Sequence, residues 1–437
     1  MGIKPKTEIK AEMYTNDEGS LDFEVLELDT SWAFEKADTR YLTHDIHRYP
    51  AKFIPQLARR IIEEYSEKGE IVLDPFCGSG TALLEARLTE RNAIGVDLNP
   101  VAYYVSKVKT NPIEPRKLKR MWEEFSKKLS PLFGFTKVEP YPLPEKALEV
   151  LSAWIPEKQL QDMLRLFTLI VDVEDEQFRE FLLVAFSNIQ KNCSWWLMKS
   201  VKPTRDFNKK VPDVVPTFTK QVRKMIKKNN QLWEVLKNSK TWVKVFRGDT
   251  RKLSSIVTDT VDLIVFSPPY VTSYEYVDVH KLSIIWLEQV WELKELKRQF
   301  IGSVSARPKE IDVKSQIAKE IVEHLSKKDK RIAKAVKTYF EDMQLSFMEM
   351  DKVLKDRGVV SIVIGNTKLK GVEIKNAEVF AEMFIGMGYE LERVVKRPIP
   401  GKNLPTVRDP KTGKFTSRKE QHVKVYPHEF ILFLRKG

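Results

Sequence analysis

Short apolar runs that stop at acidic or turn-forming residues recur along the chain, and between them apolar residues return every three or four positions. Residues 71–73 run into Asp74-Pro75-Phe76-Cys77-Gly78-Ser79-Gly80-Thr81, and 82–87 then carry a helical pattern, which reads as strand, tight turn, helix. A second run, 93–96, stops at Asp97 about twenty residues further on, the spacing of a βαβ nucleotide-binding unit. Residues 243–246 precede Gly248-Asp249, 261–266 precede Ser267-Pro268-Pro269-Tyr270, and 358–364 form a near-continuous buried strand. The segments 389–395 and 426–434 predict an antiparallel pair that closes the sheet. Between the second strand and Val243 the pattern is mainly helical, as in 158–171 and 176–190, and far longer than a doubly wound sheet needs. The organisation predicted is α/β: residues 1–110 as the first part of the sheet domain, 111–240 as an inserted helical domain, and 241–437 as the remainder, with a smaller helical insertion at about 290–340.

Composition narrows the class. A chain of 437 residues can build a large core and two or three structural units. No apolar run approaches bilayer length and the first residues lack a secretory apolar stretch, so a cytoplasmic protein with no membrane partner is expected. Two cysteines, Cys77 and Cys193, exclude a disulfide framework and a Cys-rich zinc site. His44 and His47 have ligand-pair spacing but no third ligand nearby, so no metal is expected. Lys and Arg number 74 against 61 Asp and Glu, a net charge of +13, which favours a polyanionic partner such as nucleic acid. Abundant Lys and Glu with few Cys also match a thermophilic source.

The first turn carries candidate chemistry. Gly78 and Gly80 let backbone approach a ligand without a Cβ in the way, and the following helix offers N–H groups from Thr81 onward. This suits the carboxylate end of S-adenosylmethionine, with Asp97 accepting from ribose hydroxyls and Asp249 from the adenine amine. A dinucleotide fingerprint would place Gly or Ala where Leu83 stands, and a phosphate loop needs Gly-Lys-Ser/Thr, which is missing.

Ser267-Pro268-Pro269-Tyr270 is suited to an exocyclic base amine, a poor nucleophile because its lone pair is conjugated with the ring. The Ser267 hydroxyl and the Pro268 carbonyl can accept the amine's hydrogens, the prolines Pro268 and Pro269 stiffen the loop, and Tyr270 offers a ring for an unstacked base. A C5 methylation would need a cysteine nucleophile, and no Pro-Cys occurs.

The residues 74–81, the sequel Asp97-Leu98-Asn99-Pro100 and the upstream His47-Arg48-Tyr49-Pro50-Ala51-Lys52-Phe53-Ile54-Pro55 resemble motifs of the amino-methyltransferases of DNA. The resemblance covers roughly 41–110 and 243–437 and implies a class-I (Rossmann-like) methyltransferase sheet. It further implies that Phe53, Asp74, Phe76, Gly78, Ser79, Gly80, Thr81, Asp97, Leu98, Asn99 and Asp249 hold the cofactor. Ser267-Pro268-Pro269-Tyr270 resembles the cytosine-N4 signature, whereas adenine-N6 enzymes more often begin with Asp or Asn. Phe266 stands where the DNA enzymes usually carry Thr, which leaves a structured RNA, for example ribosomal RNA, open beside DNA. Adenine-N6 methylation and a catalytically silent nucleic-acid-binding subunit are the further alternatives, and intact motifs argue against silence.

Substrate contacts are expected from 192–210, where Trp195 and Trp196 sit among Lys199, Lys202 and Arg205, stacking surfaces beside cations. The competing reading is a Trp pair in the helical core. Tyr274 and the basic stretch 396–424, with Lys402, are further candidates near the base. Nothing in the pattern fixes an oligomeric state.

Overall fold

The computed structural model describes residues 14–15, 19–130, 132, 134–200, 203–271, 275–288, 292–399, 407–408, 423–424 and 428–437. Before the sheet comes helix α1 (Pro55–Tyr65), with Pro55 in its first turn and its apolar face, Leu57, Ala58, Ile61 and Ile62, fully covered. Strand β1 (Ile71–Asp74), helix α2 (Thr81–Leu88), strand β2 (Asn92–Asp97) and helix α3 (Pro100–Thr110) then form the predicted βαβα unit. Helices α4 (Pro115–Lys128), α5 (Glu145–Ser152), α6 (Glu157–Val171), α7 (Glu176–Ile189) and α8 (Val214–Leu236) fill the long interval before β3 (Val243–Arg247). They share a core of their own, in which Trp122, Phe125, Phe167, Phe178 and Phe218 meet Val101 and Val105 of α3.

Strand β4 (Val261–Phe266) leads to α9 (Tyr276–Val279), α10 (Lys281–Glu288), α11 (Leu293–Gln299), α12 (Gln316–Ser326) and α13 (Lys330–Val353). The stretch 290–340 therefore divides: its end belongs to α13, whose Phe340, Met343, Phe347 and Met350 pack on the sheet and which runs straight into β5 (Leu354–Ile364) as its crossover helix. A short hairpin, β6 (Thr367–Leu369) and β7 (Val372–Ile374), precedes α14 (Asn376–Ile385), and β8 (Tyr389–Pro398), the two-residue strands β9 (Val407–Arg408) and β10 (Val423–Lys424), and β11 (His428–Lys436) complete the chain.

Seven strands lie in the order β3-β2-β1-β4-β5-β11-β8, with the first five parallel and β11 antiparallel to both neighbours. This is the mixed α/β, Rossmann-like sheet with a helical insertion and antiparallel closing strands. β5 starts earlier than the apolar pattern, because Lys355, Asp356 and Arg357 are exposed and looped out: Val261 pairs with Leu354, but Leu263 already pairs with Val359. β11 ends later than the pattern, because Arg435 and Lys436 keep pairing with Glu390 and Tyr389. Among the described residues no helix is long and apolar enough to cross a membrane.

Candidate active site

The carboxyl ends of the parallel strands β1, β2, β3 and β4 open onto one cleft, the place where an open α/β sheet binds ligands. Its floor is the turn between β1 and α2. Gly78 and Gly80 both take left-handed backbone, with φ of 48° and 72°. Only Gly78 lines the cleft; a Cβ on Gly80 would stand 2.7 Å from Ser106 Cβ on α3. Close packing of α2 on α3 is thus a structural reason for glycine at position 80, beside the expected approach of a ligand. Gly80 also occupies the N-cap position of α2, so no side chain caps that helix, and Ser79 and Thr81 beside it line the cleft.

Asp97 ends β2. Its Oδ2 accepts from the Gly78 N–H and its Oδ1 from the Asn99 N–H, both at 2.8 Å. Burial, opposed by these two bonds, pushes its carboxyl up to about 6. Asp74, at the end of β1, is pushed up to about 8, first by burial and then by Asp97, against the Phe76 N–H it accepts. Asn99 caps α3 through Oδ1, which accepts from the Val101 N–H at 3.0 Å, while its Nδ2 donates to Tyr49 Oη at 3.3 Å. Asp249 caps the turn after β3 and is forked to Arg251, whose Nη2 donates to Oδ2 at 2.7 Å and Nε to Oδ1 at 2.9 Å. Arg251 also reaches Asp342 of α13 at 2.7 Å and the Gln299 carbonyl at 2.6 Å.

Ten of the eleven residues expected to hold a cofactor thus share one lining, Gly80 being the exception: Phe53, Asp74, Phe76, Gly78, Ser79, Thr81, Asp97, Leu98, Asn99 and Asp249. Ser267 and Pro269 from the loop after β4 join them. Pro268 is buried, and Tyr270 is tied to the end of β5, its hydroxyl accepting from the Gly365 N–H at 3.0 Å.

The expected substrate residues fare differently. Trp196 is 2% exposed and packs in the helical core against Trp154, ring centres 5.0 Å apart, so its expectation as a stacking surface is corrected: no face of the indole is open. Trp195 is half-buried and edge-on to Phe207 at 5.1 Å. Lys199 is exposed, and Arg205 is exposed with Nη1 donating to the Ala153 carbonyl at 2.8 Å. Lys202, Tyr274 and Lys402 lie outside the described residues, as does most of 396–424. Lys396, at the head of that stretch, is a buried structural cation, 3.0 Å from Glu24 on the covering N-terminal segment. His44 and His47 are also structural: one Nε2 lies 2.7 Å from Glu85, the other 3.0 Å from Ser187 Oγ. No group of three or more metal-ligating side chains occurs among the described residues.

The lining also contains Tyr49, Lys52, Gly248, Thr250, Tyr276 and the Gln299-Phe300-Ile301 segment. Tyr49 and Lys52 lie in the same upstream motif as Phe53, so the motif carried the signal. Nothing local marks Gln299, Phe300 and Ile301, which reach the cleft from the end of α11 and the two residues after it. Beneath the floor, Lys109 is 1% exposed and its Nζ donates to Ser79 Oγ at 3.0 Å; burial holds this amine well below the usual lysine range.

A parallel sheet with a Gly-rich turn after β1, an acid at the tip of β2 and a Ser-Pro-Pro-Tyr loop after β4 defines a methyltransferase of the Rossmann-like class. Residues 4–108 match the N6_N4_Mtase family profile, described as DNA methylase. The chain is 26% identical over 428 residues to the Type II methyltransferase M.MvaI of Kocuria varians, covering 92% of this chain and 93% of that protein. It is 22% identical over 398 residues to the Type II methyltransferase M.BsoBI of Geobacillus stearothermophilus, covering 77% and 76%. Over 102 residues, 22% of this chain and 19% of the other, it is 37% identical to the Type II methyltransferase M.MjaII of Methanocaldococcus jannaschii. Residues 4–108 thus carry a domain of the N6_N4_Mtase family of amino-methyltransferases, and the chain is similar along most of its length to Type II methyltransferases.

Proposed function

We propose that the chain transfers a methyl group from S-adenosylmethionine to the exocyclic N4 amine of cytosine in DNA. The observation that carries this reading is the convergence of Ser267 and Pro269 with Asp74, Phe76, Gly78, Asp97 and Asp249 on one cleft. S-adenosylmethionine fits the residues present: Gly78 leaves the turn open to it, and the ionised carboxylate of Asp97 keeps lone pairs for ribose hydroxyls beyond the two N–H groups it already accepts. Asp249, although forked to Arg251, likewise keeps acceptor capacity for an adenine amine. When bound, the cofactor supplies an electrophilic methyl on sulfur.

The chain's own work is to position the amine. Ser267 Oγ and the Pro268 carbonyl accept the amine hydrogens, which draws the nitrogen lone pair out of conjugation, and Tyr270, fixed through Gly365, gives the base a flat neighbour. No covalent protein intermediate is involved. Cys77 and Cys193 are buried thiols, the first pushed well up and the second to about 11, chiefly by burial, so neither is poised as a thiolate nucleophile.

Serine at the head of the loop favours cytosine. The description of the family as DNA methylase and the full-length likeness to Type II methyltransferases favour DNA. The test is incubation with methyl-labelled S-adenosylmethionine and, in separate reactions, genomic DNA and ribosomal RNA, followed by digestion to nucleosides and mass spectrometry. Label in N4-methyldeoxycytidine is the expected result. Label in N6-methyladenine nucleosides, in a C5-methylcytosine product, or in RNA alone overturns the reading.

A further inference from the structure

Beside the cleft, four cations stand together with no carboxylate in ion-pair reach among the described residues. Arg48 adjoins the cleft residue Tyr49, and its Nη1 donates only to the Asn192 amide oxygen, at 2.8 Å. Lys281 Nζ lies 3.4 Å from the ring centre of Trp154, Lys191 Nζ 4.5 Å from that of Trp196, and the Arg205 guanidinium 5.5 Å from that of Trp154. Since the two indoles pack on each other, they make one aromatic floor under three positive charges. Asp278, the acid nearest Lys281 along the chain, is spent on Lys297 at 2.7 Å. Lys209 is excluded from the group, because its Nζ is consumed by the carbonyls of Lys191, Ser194 and Trp196 at 2.7, 2.7 and 3.0 Å.

The cluster continues the cleft wall. Tyr49 stacks on His280 at 4.8 Å and on Tyr276 at 6.3 Å; Tyr49 and Tyr276 line the cleft, and Lys281 follows His280 directly. Its electrostatics are unsatisfied. Burial, and after it Arg48, draws Lys191 down to about 8; burial draws Lys281 down to about 8 as well, with Arg205 adding to it and Asp278 opposing. Four like charges gathered on a partly desolvated surface gain from a bound anion, and gain most from one that carries several charges in a row.

We propose that Arg48, Lys191, Arg205 and Lys281 form a phosphodiester-binding site that grips the DNA backbone next to the target nucleotide, with Trp154 and Trp196 supporting the cations instead of stacking on bases. The proposal rests on the DNA reading of the cleft. It moves the nucleic-acid contact from the indoles, which are occupied, to the cations that the indoles hold in place.

The test is fluorescence anisotropy of a labelled mixed-sequence duplex DNA titrated with the full chain over a range of NaCl concentrations, for wild type, Lys191→Gln, Lys281→Gln, Arg205→Gln and Lys281→Arg. Each neutralisation is expected to weaken binding and to flatten the slope of log affinity against log salt by about 0.9 for every phosphate left without its cation, while Lys281→Arg keeps the wild-type slope. Affinity for S-adenosylhomocysteine, measured by calorimetry, should stay at the wild-type value and reports that the fold is intact. Arg205 is exposed, so its variant carries the test even where a substitution of Lys191 prevents folding. Wild-type slopes in the neutralised variants overturn the site while leaving the DNA reading in place. A wild-type chain that binds no duplex at any salt concentration overturns both.

Discussion

At the scale of single residues, Asp97 is the group on which the cofactor reading is most exposed to measurement. Its carboxylate already orders the Gly78 turn and the start of α3, so loss of the side chain removes a ligand acceptor and loosens the floor together. Asp97→Ala should lower S-adenosylmethionine affinity by about 1–3 kcal/mol, read by calorimetry. The wild-type affinity should also rise with pH through about 6 and level off above it, because only the ionised carboxylate accepts both ribose hydroxyls. Asp97→Asn should abolish that rise; an unchanged profile in the variant would assign it to another group. The same proton bears on stability with the opposite sign. Between the ordinary carboxylate range and about 6 the folded chain holds a proton that the unfolded chain has released, so this group's contribution to stability falls as pH rises through that window, and for Asp74 the window extends to about 8. These acids were legible in the sequence because each ends an apolar run at a strand tip. Trp196 was misleading for an equally physical reason: an indole flanked by lysines reads as a stacking surface, but its burial depends on Trp154 and on the helices around it, which no local pattern records.

At the scale of elements, the strands were legible wherever burial on both faces makes an uninterrupted apolar run, as in β1 and β4, and blurred where polar residues loop out, as at the start of β5. What the pattern could not reveal is how elements distant in sequence are tied around the cleft. Arg251 is the clearest case. It joins the cap after β3 through Asp249, the buried face of α13 through Asp342, and the end of α11 through the Gln299 carbonyl. Asp342 is fully buried, and burial pushes its carboxyl up against the pull of Arg251. Removing the guanidinium leaves a buried carboxylate whose nearest remaining cation, Lys309, is 4.0 Å away. Arg251→Ala should therefore cost about 3–5 kcal/mol in urea denaturation, whereas the double replacement Arg251→Met with Asp342→Leu should recover most of it. If the single variant were as stable as wild type, the three elements would be held by their apolar packing alone.

At the scale of the whole molecule, the cleft is where three apolar cores meet. Phe76 packs on the core shared by the sheet and α13, Phe53 on the core between the sheet and α1, and Tyr49 lies in the core of the helical unit. The composition predicted a polyanionic partner, and the local pattern singled out Arg205, but not the Arg48, Lys191 and Lys281 proposed to join it, since these cations come from the segment before α1, the α7–α8 connection and α10 and are gathered only by the fold. A ligand seated at such a junction touches walls supplied by all three cores, so its binding free energy should be felt by the entire fold and not by the sheet domain alone. S-adenosylhomocysteine at a hundred times its Kd should add about 2.7 kcal/mol to the stability of the liganded state. Differential scanning calorimetry should then show the helical unit and the sheet moving upward together, in one transition or in two that both shift, and Asp97→Ala should shift by less at the same ligand concentration. A transition that stays at its ligand-free temperature while another rises would mean that the helical unit melts on its own and that Tyr49 and Tyr276 contribute nothing to holding the cofactor, leaving the sheet to bind it with Asp74, Gly78 and Asp97 alone.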